Sequence, residues 1–252
     1  MRPHAIRFPR YIAHRGARAT TKENTMAAFK AAEVQGSLMF ECDVQLTFDQ
    51  VPIIFHDDTL DRLTTGQGYV TETLWKDIDA LNADIPTLAE LLTWFQSSAM
   101  LMNLELKYPS PPRPCATSCH PRKDGDPALS LVTLVSTAIL ALPIETQDRI
   151  LLSSFNLDAL LLARQQLPHI AISLLIDPQG LITWPLPKIK EILEEVTAYS
   201  IHCDKMLLHQ AELRDAFMTM TPRVLAYTVN TVEEAYFLFQ HGISSVFSDC
   251  LR

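Results

Sequence analysis

The first residues that could do chemistry are two carboxylates on one short stretch, FECDVQLT, at positions 40–47. Phe40, Cys42, Val44 and Leu46 alternate with Glu41, Asp43 and Gln45, the period of two that marks a β-strand. An ordinary half-buried strand hides its apolar face and wets the other. This one aims Glu41 and Asp43 the same way, where their charges repel. A second strand, LMNLELK at 101–107, repeats the pattern. Met102, Leu104 and Leu106 go one way; Asn103, Glu105 and Lys107 go the other. Buried carboxylates without partners are costly, so they protonate or find a cation. Glu41, Asp43 and Glu105 offer oxygen donors suited to a hard divalent ion, Mg²⁺ or Ca²⁺. A structural network with Arg15 and Lys107 as counter-charges would use the same residues. Two histidines favour the metal. His14 ends the strand YIAHRG (11–16), and His56 ends VPIIFH (51–56). Together these residues form a constellation for metal-assisted acid–base chemistry.

These side chains need a scaffold that brings strand ends to one rim. Strand-like and helix-like segments alternate, with eight principal strands starting near 11, 39, 101, 149, 170, 200, 223 and 244. SIHCDKML (200–207) reads as strand throughout. NTMAAFKAAEVQG (24–36) reads as a helix with Asn24 as N-cap and Gly36 as its stop. PTLAELLTWFQ (86–96) starts a helix at Pro86. The pattern predicts an α/β protein of one domain, residues 1–252, folded as a TIM (β/α)8 barrel with a small insertion after strand two. A doubly wound sheet would want a G-x-G-x-x-G turn, which is absent. In a barrel one strand face meets the outer helices and the other points inward, so Glu41 and Asp43 face the interior. The insertion spans 57–85. Residues 108–127 hold six prolines and predict a stiff loop after strand three, on the active face. The chain stops at Arg252, just after strand eight, which predicts a partly uncovered, apolar edge there.

Composition removes other classes. Hydrophobic residues are 48% and charged residues 20%, enough for a sizeable core. The net charge of −8 argues against nucleic-acid binding and a polybasic membrane anchor. No apolar run approaches the ~18 residues of a membrane span. The basic N-terminus is followed by no apolar signal core. Five cysteines without repeating spacing predict reduced thiols and a cytoplasmic setting.

The motifs HRG, ENT, FECDVQLTFDQVPIIFHDDTLDRLTTGQG, PTLAELL and NLELK resemble the glycerophosphodiester phosphodiesterase family. SSF (153–155), AYTVN (226–230) and SDC (248–250) match its later landmarks. The resemblance implies a TIM barrel that hydrolyses glycerophosphodiesters to sn-glycerol 3-phosphate and an alcohol, with one divalent cation. It implies Glu41, Asp43 and Glu105 as metal ligands and His14 and His56 as the acid/base pair. Arg15 and Lys107 become phosphate clamps, and residues 57–85 a small cap. Tyr227 stands where the family usually has Trp and is placed in substrate binding. Lys22 replaces the usual Pro before ENT, which alters the loop after strand one and leaves the chemistry intact.

Other features read more plainly. Cys115, Cys119 and His120 lack a fourth ligand for zinc. His202 reads as barrel lining and Trp94 as core. Three rival functions share the barrel. A lyase-like route would let the substrate's own glycerol hydroxyl attack and release a cyclic phosphate. A non-catalytic phosphodiester binder would not need the histidine pair. A zinc amidohydrolase would carry His-x-His on strand one, where this chain has His14-Arg15-Gly16.

Overall fold

A computed structural model of the chain describes residues 6–81, 83–107, 127–221 and 223–250, without the side chains of 127–129. The segment 108–126, with Cys115, Cys119 and His120, lies outside the described residues. The strands are β1 (Tyr11–Ala13), β2 (Met39–Leu46), β3 (Pro52–Ile54), β4 (Leu101–Leu106), β5 (Ile150–Ser154), β6 (Ala171–Ile176), β7 (Ser200–Asp204), β8 (Val224–Tyr227) and β9 (Ser245–Ser248). All pair in parallel except β3, which runs antiparallel along β2 as a hairpin extension. β1 pairs with both β2 and β9, so the eight parallel strands close into a barrel.

The helices are α1 (Met26–Val34), α2 (Trp75–Asp79), α3 (Leu88–Phe95), α4 (Pro127–Leu140), α5 (Ile144–Gln147), α6 (Leu157–Gln166), α7 (Pro178–Thr183), α8 (Leu186–Glu195), α9 (Lys205–Leu208), α10 (Ala211–Met220) and α11 (Val232–Gln240). Each crossover between neighbouring barrel strands carries at least one, as parallel pairing requires. The alternation read from β2 and β4 holds. Phe40, Cys42, Val44, Leu46, Met102, Leu104 and Leu106 join the outer core between sheet and helices. The lower barrel interior is a separate apolar plug of Ile12, Met39, Leu151, Ala171, Leu225 and Phe247, with Ile6 among them.

Some local expectations change. Thr25, not Asn24, caps α1, accepting from the Ala28 N–H, because Asn24 is turned toward β2. The third helix begins after Thr87, whose hydroxyl and Glu90 form a capping box, one residue past Pro86. The strand expected over 200–207 ends at Asp204. That carboxylate accepts from the Met206 N–H and starts α9. The bare edge expected at the last strand is not found: all four residues of β9 are buried. Tyr11 packs edge-on against Phe239, and Arg10 lies over the same ring. Exposed apolar surface on that side sits on α11, at Val232 and Tyr236. Residues 57–85 carry their own small core, in which Leu60, Val70 and Ile78 pack on Ile53 and Phe55.

Candidate active site

The carboxylates come together at the C-terminal end of the barrel. Asp43 on β2 lies directly across the ladder from Glu105 on β4. Like charges in that position destabilise a sheet unless something compensates. One oxygen from each of Glu41, Asp43 and Glu105 lies within 4.8 Å of the others. Glu41 Oε1 and Asp43 Oδ1 are buried and accept no hydrogen bond.

The two β2 carboxylates are driven apart in proton affinity. Burial, then the charges of Asp43 and Glu105, pushes the Glu41 carboxyl well above the usual carboxylate range. Burial acts on Asp43 in the same direction. There it is outweighed by Lys107, Arg15, His56 and a hydrogen bond from Asn24, which hold Asp43 below that range. The Asn24 amide donates to Asp43 Oδ2 at 2.8 Å. Orphaned buried oxygens in an all-oxygen donor set fit a hard divalent cation with ligand positions still open. Glu41, Asp43 and Glu105 are the residues that would hold it.

The cationic side is built around HRG. Arg15 has φ 58° and Gly16 φ 82°, both left-handed. A Cβ at Gly16 would stand 2.7 Å from Ala28 Cβ, so only glycine lets this turn lie against α1. The turn aims the Arg15 N–H at Glu41 Oε2, 2.9 Å away. Arg15 Nη1 donates to Glu23 Oε1 at 2.8 Å, and Nε lies 3.4 Å from Asp43 Oδ2. Lys107 Nζ stands 3.0 Å from Glu105 and 3.6 Å from Asp43. Burial works against its charge, but Glu105 and Asp43 prevail and push the ammonium pKa up.

Each histidine has a carboxylate behind it. His14 Nδ1 is 2.7 Å from Asp249 Oδ1, and His56 Nδ1 is 2.7 Å from Asp57 Oδ1. An ionised carboxylate only accepts, so in both rings Nδ1 carries the hydrogen. That leaves Nε2 free for proton transfer. His14 Nε2 lies 4.0 Å from Glu41 Oε2. Burial lowers the His56 pKa; Asp43 opposes this, while Lys107 and Arg15 add to it. Asp57 is held at about 2, first by its hydrogen bonds from Arg62. Burial raises Asp249, but the His14 and Asn230 hydrogen bonds bring it to about 2.

Tyr227 is the last residue of β8. Its hydroxyl donates to the Ile176 carbonyl at 2.9 Å, and its ring meets Phe155 edge-on at 6.2 Å. Burial raises its pKa far out of reach at neutral pH. Reading the sequence missed Glu23, Asp57, Arg62 and Asp249 as members of the site. Asp57 was open to discovery as the neighbour of His56. Asp249 stands in the SDC landmark, but its partner could not be read there, because it meets His14 from 235 residues away.

Residues 14–251 match the Glycerophosphoryl diester phosphodiesterase family. The chain belongs to that family. It is 28% identical over 257 residues to YqiK of Bacillus subtilis, an uncharacterized protein, covering 94% of this chain and 93% of that one. A glycerophosphodiester phosphodiesterase of Caldanaerobacter subterraneus subsp. tengcongensis is 28% identical over 249 residues, with 94% and 93% covered. A phosphodiesterase of Oleispira antarctica, solved in complex with the product sn-glycerol-3-phosphate, superposes with a TM-score of 0.74. It is 28% identical, over 96% of this chain and 93% of that chain. Membership makes this chain an enzyme, a glycerophosphodiester phosphodiesterase on a TIM barrel. The resemblance read from its motifs is therefore to the family that it matches.

Proposed function

We propose that the chain hydrolyses glycerophosphodiesters to sn-glycerol 3-phosphate and an alcohol, using one divalent cation, Mg²⁺ or Ca²⁺, and the histidines His14 and His56. The observation that carries this is the cluster of Glu41, Asp43 and Glu105, in which Glu41 Oε1 and Asp43 Oδ1 accept no hydrogen bond, lying beside two imidazoles whose Nδ1 atoms are both held by carboxylates. The Oleispira antarctica relative supports the substrate class through its bound product.

Cleaving a phosphodiester needs charge on the non-bridging oxygens neutralised, a base for the attacking oxygen and an acid for the leaving one. The cation would supply Lewis-acid stabilisation of phosphate charge. Arg15 and Lys107 hold permanent positive charge beside the same carboxylates and would clamp the phosphate. His14 and His56, each with Nε2 free, would divide the two proton transfers. Tyr227, with Phe155, would border the substrate. Residues 57–85 would act as a small cap of the single domain, since Arg62 reaches from them to Glu23. Cys42, Cys203 and Cys250 are free thiols, which supports a reducing, cytoplasmic setting. No described helix is long and apolar enough to cross a membrane.

The same residues would also serve attack by the substrate's own glycerol hydroxyl. ³¹P NMR of the purified protein with mixed glycerophosphodiesters, in Mg²⁺, in Ca²⁺ and in EDTA, separates the routes. Glycerol 3-phosphate formed only with metal is the expected result. An accumulating cyclic phosphate selects the lyase-like route, and no turnover under any condition rejects catalysis.

A further inference from the structure

The histidines are joined by a belt of alternating charge. From His56 Nδ1 the path runs 2.7 Å to Asp57 Oδ1. Arg62 grips Asp57 with Nε at 2.6 Å and Nη2 at 2.8 Å. Its other edge grips Glu23, at 2.7 Å and 3.1 Å. Glu23 Oε2 lies 2.9 Å from Arg18 Nε, and Arg18 Nη1 donates to Asp249 Oδ1 at 3.3 Å. Asp249 closes the path on His14 Nδ1 at 2.7 Å.

Glu23 is the hub. Its side chain is 4% exposed and also accepts from Arg15, so three guanidinium groups surround one carboxylate. Burial alone would raise its pKa, but the hydrogen bonds from Arg62 and Arg15 hold it at about 2. Forked guanidinium–carboxylate pairs are planar and directional, so they transmit orientation as well as charge. The arms have different origins. Arg18 and Glu23 come from the turn after β1, Asp249 follows β9, and Asp57 and Arg62 belong to the insertion after β3.

We propose that Glu23 is a positioning residue that, through Arg62 and Arg18, fixes His56 and His14 relative to one another. This rests on the phosphodiesterase reading, in which both imidazoles must face one phosphate. A shift of either ring by about 1 Å would then cost roughly 10²-fold in rate. A passive staple between insertion and barrel would stabilise the fold without linking the rings.

The test uses the full chain, labelled with ¹⁵N-histidine, as wild type and as Glu23→Gln, Arg62→Lys and Arg18→Lys. The Nδ1–H signals of His14 and His56 are read by NMR beside kcat and KM. Belt coupling predicts that Arg62→Lys moves the signal of distant His14 as well as that of His56. Arg18→Lys moves both in the same way. Glu23→Gln shifts both signals and lowers kcat about 10²-fold with KM little changed. The proposal is overturned if each arginine variant moves only its own histidine. It is also overturned if folded Glu23→Gln keeps wild-type kcat. Should Glu23→Gln fail to fold, the two arginine variants decide, since Arg62 and Arg18 are part-exposed. If the wild type cleaves no glycerophosphodiester, the reaction is wrong, and the NMR couplings still judge the belt.

Discussion

The rim and the interior of this barrel both hold histidine, in opposite surroundings. At the rim, His14 and His56 each face a carboxylate at Nδ1. Inside, His202 is fully buried, with Nδ1 unpartnered and Nε2 3.1 Å from the Ser200 hydroxyl. Phe8 and Phe247 pack on its ring. Burial without a counter-charge lowers its pKa to about 3, so it stays neutral. One residue type thus does two jobs. A paired carboxylate fixes a tautomer and supports a charged intermediate state. An apolar cage denies the charge altogether.

The sharpest way to break this contrast is to delete the rim imidazoles. His14→Ala and His56→Ala should each lower kcat about 10²–10⁴-fold in a metal-saturated assay. A substrate whose alcohol leaves without protonation should rescue the variant that lost the acid and leave the other slow. Rescue of both, or of neither, would remove the division of labour between them.

Next come the carboxylates behind the rings. Asp57→Asn and Asp249→Asn keep the shape while removing the charge that fixes Nδ1–H. Each should cost about 10–100-fold in kcat. Wild-type kcat in both variants would show that the pairs only pack.

The interior histidine predicts a pH effect on stability alone. Unfolded, His202 takes up a proton near ~6.5; folded, it does so only at about 3. Its contribution is therefore fully present above pH ~6.5. It is lost as the pH falls from there toward 3, on the order of a few kcal/mol in total. Urea midpoints measured across that window should fall in the wild type and fall less in His202→Leu. Parallel slopes would mean that His202 is not the buried titrating group. The smallest effect belongs to Ser245, whose buried hydroxyl has no partner. Ser245→Ala should stabilise by about 1 kcal/mol, seen as a raised melting temperature.

Much of this was open to reading along the chain. The two-residue period of 40–46 and 102–107 places Glu41, Asp43, Glu105 and Lys107 on one inward face, because pleating alone sets which way a strand side chain points. Seven crossovers with helices imply parallel strands, and eight strands in ~250 residues imply closure. Local capping was harder to read. Thr25 displaced Asn24 because Asn24 is bound to Asp43, a partner 19 residues away.

What the sequence by itself determined was the shared inward face of Glu41, Asp43, Glu105 and Lys107 and the succession of the strands, since both follow from local backbone geometry. Only the tertiary structure decided who supports whom. Closing β1 against β9 carried Asp249 to His14, and folding the insertion back carried Arg62 to Glu23. Such pairings depend on where the barrel brings distant segments together, and nothing in the local period of the chain encodes that meeting.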